Sequence, residues 1–148
     1  MKQIKLGLIG AGERGANCYA PYALKFPSEV RFVCVADPLA DRRNTFGETH
    51  RIAEEDRYED WREMLGKEYG LDGIIIATQD RQHYEPAMAA IAAGLNVLLE
   101  KPMAETVEKT KAIVEAAKEK GVLLMVCHVL RHTPFFQSVK ETLDSGAI

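Results

Sequence analysis

Three glycines stand at the spacing Gly-x-Gly-x-x-Gly in Gly10-Ala11-Gly12-Glu13-Arg14-Gly15, directly behind the apolar run Ile4–Ile9. The chemistry this spacing serves is the reception of a diphosphate by backbone N–H groups at a helix N-terminus. Gly10 would allow the tight turn, Gly12 the close approach of the diphosphate, and Gly15 the close packing of the helix on the strand. An acidic residue, Asp37, lies about 20 residues beyond Gly15, at the end of a second apolar run. A carboxylate there can accept hydrogen bonds from both hydroxyls of a ribose and repels a 2′-phosphate, which predicts NAD as the cofactor. NADP stays possible because Arg42 and Arg43 follow, and a guanidinium stacks on adenine or pairs with a 2′-phosphate. The plainer alternatives are a glycine turn between strand and helix, and an Asp that starts the turn before Pro38.

A second group of polar residues follows other apolar runs. Thr78, Gln79 and Asp80 come after Ile74-Ile75-Ile76-Ala77, placed to meet a ribose or diphosphate, although Asp80 could equally cap a helix. His83 could reach a cofactor or be an ordinary exposed histidine. Glu100-Lys101-Pro102 follows Asn96–Leu99. Pro102 biases Lys101 towards extended backbone, which can hold the amine towards a cleft. A lysine there can bind a substrate hydroxyl and lower its pKa. Glu100 could orient it or be a solvated charge. Cys127, His128, Arg131 and His132 come after the last apolar run. Two histidines four residues apart raise the question of a metal, but no Glu completes His-Glu-x-x-His and no cysteine pair is present, so a polar cleft wall is the better reading.

The elements that must position these residues alternate. Strands are predicted at Ile4–Ile9, Val30–Ala36, Gly73–Ala77, Asn96–Leu99 and Val122–Val126, with a short segment around Tyr58. Helices are predicted at Asn17–Phe26, Leu39–Thr49, Trp61–Glu68, Gln82–Ala93, Glu105–Lys120 and Pro134–Ser145. Such alternation implies right-handed crossovers and a parallel sheet. The expected fold class is therefore α/β, a doubly wound, mostly parallel, Rossmann-type sheet in a single three-layer domain over residues 1–148. Ligands of such sheets lie beyond the carboxyl ends of the strands, where the polar residues above are placed.

The totals set bounds. The 148 residues suffice for one ordinary core. A net charge of −3 gives no reason to expect nucleic acid or an anionic membrane as a partner. No apolar run approaches the roughly 20 residues of a bilayer span. Met1-Lys2-Gln3 leads straight into the first strand, leaving no room for a signal peptide, and the three cysteines are expected as reduced thiols, so the expected location is cytoplasmic.

Gly10-Ala11-Gly12-Glu13-Arg14-Gly15, Val35-Ala36-Asp37, Ala77-Thr78 with His83, Glu100-Lys101-Pro102 and Arg131-His132-Thr133-Pro134 stand in an order and spacing that resembles the amino-terminal domain of the Gfo/Idh/MocA oxidoreductase family. The resemblance covers essentially the whole chain, and its most specific element is Glu-Lys-Pro. It implies that the glycine motif, with Glu13 and Arg14, and Asp37 and Arg42 hold the adenosine and diphosphate of NAD(P). It implies that Thr78, His83 and Glu100 lie along the nicotinamide end. Lys101 matches the family's active-site lysine, which contacts the substrate hydroxyl. Many members carry Pro-Asn after the threonine, where this chain has Gln79-Asp80. The implied activity is hydride transfer between nicotinamide and a hydroxyl-bearing carbon of a sugar or cyclitol, in a protein that is a homo-oligomer. Alternatives are an NAD-dependent glycoside hydrolase working by transient oxidation and elimination, and a non-catalytic nucleotide-binding regulator. Family members continue into a second domain that supplies the substrate pocket. This chain reaches Asp144-Ser145-Gly146-Ala147-Ile148 about where that crossing occurs, so it reads as the cofactor half of such a protein, without useful turnover by itself.

Overall fold

A computed structural model describes residues 2–147. The six strands are β1 (Ile4–Ile9), β2 (Val30–Ala36), β3 (Arg57–Tyr58), β4 (Gly73–Ile76), β5 (Asn96–Leu99) and β6 (Leu124–Val126). They form one sheet in the order β3-β2-β1-β4-β5-β6, with every pair parallel. Strand order reverses between β1 and β4, the switch point beside which ligands of this architecture lie. β4 is apolar and buried along its whole length, as a central strand covered on both faces must be. The short segment around Tyr58 proves to be the edge strand β3.

The helices are α1 (Pro21–Lys25), α2 (Ala40–Thr49), α3 (Trp61–Leu65), α4 (Tyr84–Ala92), α5 (Val107–Lys120) and α6 (Pro134–Asp144). The first crossover departs from the predicted helix Asn17–Phe26. A π-helical segment, Glu13–Tyr19, begins directly behind Gly12, and α1 starts afresh at Pro21. Proline has no N–H to donate and its ring crowds the carbonyl four residues back, so the first helix closes on a wide turn instead. Ala20 N–H reaches the Gly15 oxygen at 3.1 Å. Elsewhere the ends move by a few residues for local reasons. Thr106 is the N-cap of α5, its hydroxyl accepting from the Lys109 N–H at 3.2 Å, so that helix opens at Val107 and not at Glu105. Gly121 closes it in the left-handed region, with φ 70°. Gly66 ends α3 after Leu65.

One sheet face is filled by Ile9, Ile74, Ile76, Val97 and Leu99 under α3, α4 and α5, with Ala87, Ala90, Ile91 and Ile113 supplied by the helices. The opposite face packs Leu8, Phe32, Val35 and Ile75 under α1, α2 and the π-helical segment. Complete burial of such a side chain is worth about 1.5–3 kcal/mol, so the sheet is anchored through both faces near β1. Cover on the second face stops short of β5 and β6, where Leu6, Leu98 and Met125 line an apolar groove. Phe135, Phe136, Val139 and Leu143 of α6 are exposed. No helix of the described residues is long and apolar enough to cross a membrane.

Candidate dinucleotide site

The glycine turn sits at the carboxyl end of β1, and each of its glycines meets a different demand. Gly10 has φ 91°, and a Cβ there would lie 2.6 Å from the Ala77 oxygen. A Cβ on Gly15 would lie 2.1 Å from the Gly10 oxygen, so only glycine lets the helix approach the strand this closely. Gly12 is different: a Cβ would meet only the Arg42 guanidinium, at 3.5 Å. That leaves an open approach to the backbone where the helix begins, and a helix start leaves its first N–H groups without intrahelical partners. This is the space and the donor set that a diphosphate requires.

Asp37 closes β2 and is buried. Its Oδ2 accepts from the Ala11 N–H at 2.8 Å and its Oδ1 from the Leu39 N–H at 2.9 Å. The carboxylate thus starts the turn before α2 and also ties down the glycine turn, which sequence reasoning did not foresee. Each oxygen keeps a further acceptor position for a hydroxyl. Arg43 is engaged, donating to the Asp37 carbonyl at 2.8 Å. Arg42 is exposed and stands beside Gly12 and Glu13, along a groove between the π-helical segment and α2. Glu13 is exposed as well and accepts from the Asn17 amide at 2.7 Å.

At the other end of the cleft the strand ends of β4 and β5 come together. Thr78 is half-buried and its hydroxyl donates to the Gln82 carbonyl at 3.2 Å. Asp80 starts a 3-10 turn, Asp80–Gln82, and caps no helix with its side chain. Thr78 and Gly10 share the walls of an open cavity with Pro38, Trp61, Arg62 and Arg81.

His83 corrects the reading of an ordinary exposed histidine. It is not exposed but fully buried. Its Nδ1 lies 2.6 Å from the Pro102 carbonyl oxygen and its Nε2 lies 3.1 Å from the Thr78 carbonyl oxygen. An imidazole with one N–H donates to one of these carbonyls, and the shorter contact, to Pro102, is that bond.

Glu100 is also buried, and its carboxylate has three partners. Oε1 accepts from the Tyr19 hydroxyl and lies 3.7 Å from Arg14 Nε, while Oε2 accepts from the Lys101 N–H at 2.8 Å. It is therefore not a solvated charge, and it orients Lys101 through the backbone. Burial, together with the hydrogen bond to Glu100, pushes the Tyr19 phenol far above its ordinary value, so Tyr19 stays protonated and donates. Lys101 itself is exposed. Tyr19 is the residue sequence reasoning missed: nothing in a lone tyrosine within a helix pattern announces a partner 81 residues away. His128, Arg131 and His132 are exposed around the Val129–His132 turn beyond β6. Among the described residues no group of three side chains is arranged to hold a metal ion.

Comparison with known proteins places this arrangement. The oxidoreductase family described by its NAD-binding Rossmann fold, Gfo/Idh/MocA, matches residues 4–128. Levoglucosan dehydrogenase of Pseudarthrobacter phenanthrenivorans is 32% identical over all of this chain and 39% of its own length. The NAD-dependent scyllo-inositol 2-dehydrogenase of Bacillus subtilis is 29% identical over 99% of this chain and 42% of its own. Among solved structures, an oxidoreductase of Agrobacterium radiobacter in complex with NAD+, L-tartaric acid and magnesium superposes with a TM-score of 0.82 at 29% identity, over 99% of this chain and 41% of that one. The WlbA dehydrogenase of Bordetella pertussis, in complex with NADH and UDP-GlcNAcA, gives 0.86 at 25% identity, over 97% and 42%. The chain thus spans about two fifths of the length of these relatives.

Proposed function

This chain belongs to the Gfo/Idh/MocA oxidoreductase family, and from that premise we propose that it is the cofactor half of a dehydrogenase acting on a sugar or cyclitol. The parent enzyme moves a hydride between C4 of the nicotinamide and a hydroxyl-bearing carbon. The observation that carries this reading is the placement of an open glycine turn and an exposed lysine at the carboxyl ends of one parallel sheet, on the two sides of its switch point. The family's NAD-binding fold and relatives named for inositol and levoglucosan support it.

In this reading the backbone at Gly10, Gly12, Glu13, Arg14 and Gly15 receives the diphosphate on the helix N-terminus. Asp37 takes the adenosine ribose, with Arg42 beside it. Asp37 also repels a 2′-phosphate, so NAD is preferred. Thr78 and Glu100 stand at the nicotinamide end, Glu100 through the bonds that fix Lys101. The bound cofactor supplies the hydride chemistry, and the protein binds, orients and polarises. Lys101 contacts the reacting hydroxyl, and its positive charge favours the alkoxide and thereby loss of the hydroxyl proton. A second domain of the parent protein completes the substrate pocket and the subunit contacts of a homo-oligomer, so residues 1–148 bind the dinucleotide but turn over poorly for lack of a substrate wall.

Fluorescence titration of residues 1–148 with NADH, and calorimetry with NAD and NADP, test the cofactor reading. Binding of NAD in the micromolar range is expected, and NADP binding tighter than NAD would overturn the preference. Assay of the parent protein with a panel of cyclitols and sugars tests the substrate class. Oxidation of none of them, with NAD binding intact, would remove it.

A further inference from the structure

We infer that His83 is a positioning residue of the site, holding the Lys101-Pro102 segment through a hydrogen bond from its Nδ1–H to the Pro102 carbonyl. The inference rests on the cofactor reading above, since it concerns where that cofactor and Lys101 meet. The imidazole is completely buried, yet neither nitrogen faces a side chain. Nδ1 meets the Pro102 carbonyl at 2.6 Å and Nε2 the Thr78 carbonyl at 3.1 Å. These oxygens belong to the loops that follow β5 and β4, the two neighbouring strands whose ends form the nicotinamide side of the cleft. A buried polar ring aimed at two loop carbonyls does little that a packed apolar side chain could not do better for stability. The Nδ1–H bond does tie the loop after β5 to the start of α4.

The contact to Pro102 acts on Lys101 directly, because Pro102 is its neighbour in the chain. The other side of the same residue is held as well, its N–H donating to Glu100 Oε2 at 2.8 Å. Lys101 is thus gripped on both sides by buried groups while its own side chain is exposed. Misplacement of a reacting group by about 1 Å costs up to about a hundredfold in rate, so a tether of this kind matters to turnover although His83 touches no reacting atom.

The test compares three variants of residues 1–148. His83→Asn presents an amide near the Nδ1 position and keeps the Pro102 contact. His83→Gln places its amide at the Nε2 position and loses the Pro102 bond. His83→Leu has no donor. Hydrogen exchange of residues 100–104 without cofactor is expected to stay slow in the wild type and in His83→Asn, and to rise at least about tenfold in His83→Gln and His83→Leu, the change for loss of one tether. Acylation of Lys101 by a limiting N-hydroxysuccinimide ester, quantified by mass spectrometry, is expected to be slowed about tenfold by NAD at ten times Kd in the wild type and His83→Asn, and less than about twofold in His83→Gln. Equal behaviour of Asn and Gln in both measurements would overturn the inference, and that comparison survives even if His83→Leu does not fold. If the exchange pattern holds but NAD protects Lys101 in no protein, the wild type included, the cofactor reading falls instead.

Discussion

Replacement of Gly15 by alanine offers a sharp test of how the dinucleotide turn is built. The added Cβ would lie 2.1 Å from the Gly10 oxygen and 3.0 Å from Leu8 Cδ1. The nearer obstacle is backbone, and it is held, because the Gly10 N–H donates to the Ala36 oxygen at 2.8 Å. Relief therefore requires the helix to lift from the sheet by about 1 Å. Overpacking of this kind costs about 1–3 kcal/mol, at the upper end here because no flexible side chain can yield. The better helix propensity of alanine returns up to about 1 kcal/mol. A net loss near 2 kcal/mol lowers Tm by about 4–8 °C for a chain of this size. Gly12→Ala is the matched control. Its Cβ meets only the end of the Arg42 side chain, so Tm is expected within roughly 2 °C of wild type, as for an ordinary surface change. Both variants should lose NAD affinity by more than about tenfold, Gly15→Ala through a displaced helix and Gly12→Ala through a methyl in the path of the diphosphate. Circular dichroism melts and NADH fluorescence titrations measure the two effects separately. A Gly15→Ala protein as stable as wild type, or a Gly12→Ala protein as destabilised as Gly15→Ala, would refute the assignment of packing to one glycine and access to the other.

In the parent enzyme, Lys101→Met should lower kcat by at least about a hundredfold and leave the NADH dissociation constant within about threefold, as pre-steady-state and equilibrium titrations would measure. Unchanged turnover would remove Lys101 from the chemistry. Asp37→Ser should raise the ratio of NADP to NAD affinity by about tenfold, the effect of losing one charge against a 2′-phosphate, and calorimetry with both cofactors reads it. The Cys34 thiol, with no exposed surface, is pushed up by burial from 9.0 to about 12. Its folded form thus prefers the protonated thiol, a contribution fully present below pH 9 and lost as pH rises towards 12. Melting temperature should fall between pH 8.5 and about 10.5, and less steeply in Cys34→Ala; parallel slopes would contradict the assignment.

The parts of the site legible in the sequence were those encoded by spacing within one segment. Gly10 and Gly15 meet the turn and packing demands read from the motif, because backbone conformation and the absence of a Cβ are local properties. The strand ends were legible for the same reason, and they located Asp37, Thr78 and Glu100. What escaped was every contact made across the chain. The burial of His83 was not legible, since position in a helix pattern says nothing of carbonyls brought in by a loop 19 residues away. Glu100 could not be joined to Tyr19 and Arg14 from the sequence, since only the parallel pairing of β1, β4 and β5 brings their ends together. The first helix was misjudged because its pattern of residues looked continuous through Pro21, where the backbone had to open a wider turn.

The second bond of Asp37 has a consequence for how cofactor choice can change in descendants of this protein. The carboxylate proposed above to discriminate between phosphorylated and unphosphorylated ribose also anchors the Ala11 amide, and so the floor proposed for either dinucleotide. A substitution that removes the discrimination loosens that floor for both. Any mutational route from one cofactor to the other therefore dips through an intermediate that holds each of them poorly, unless a compensating change re-anchors Ala11 first. The order of mutations, and not only their identity, decides whether the route is passable.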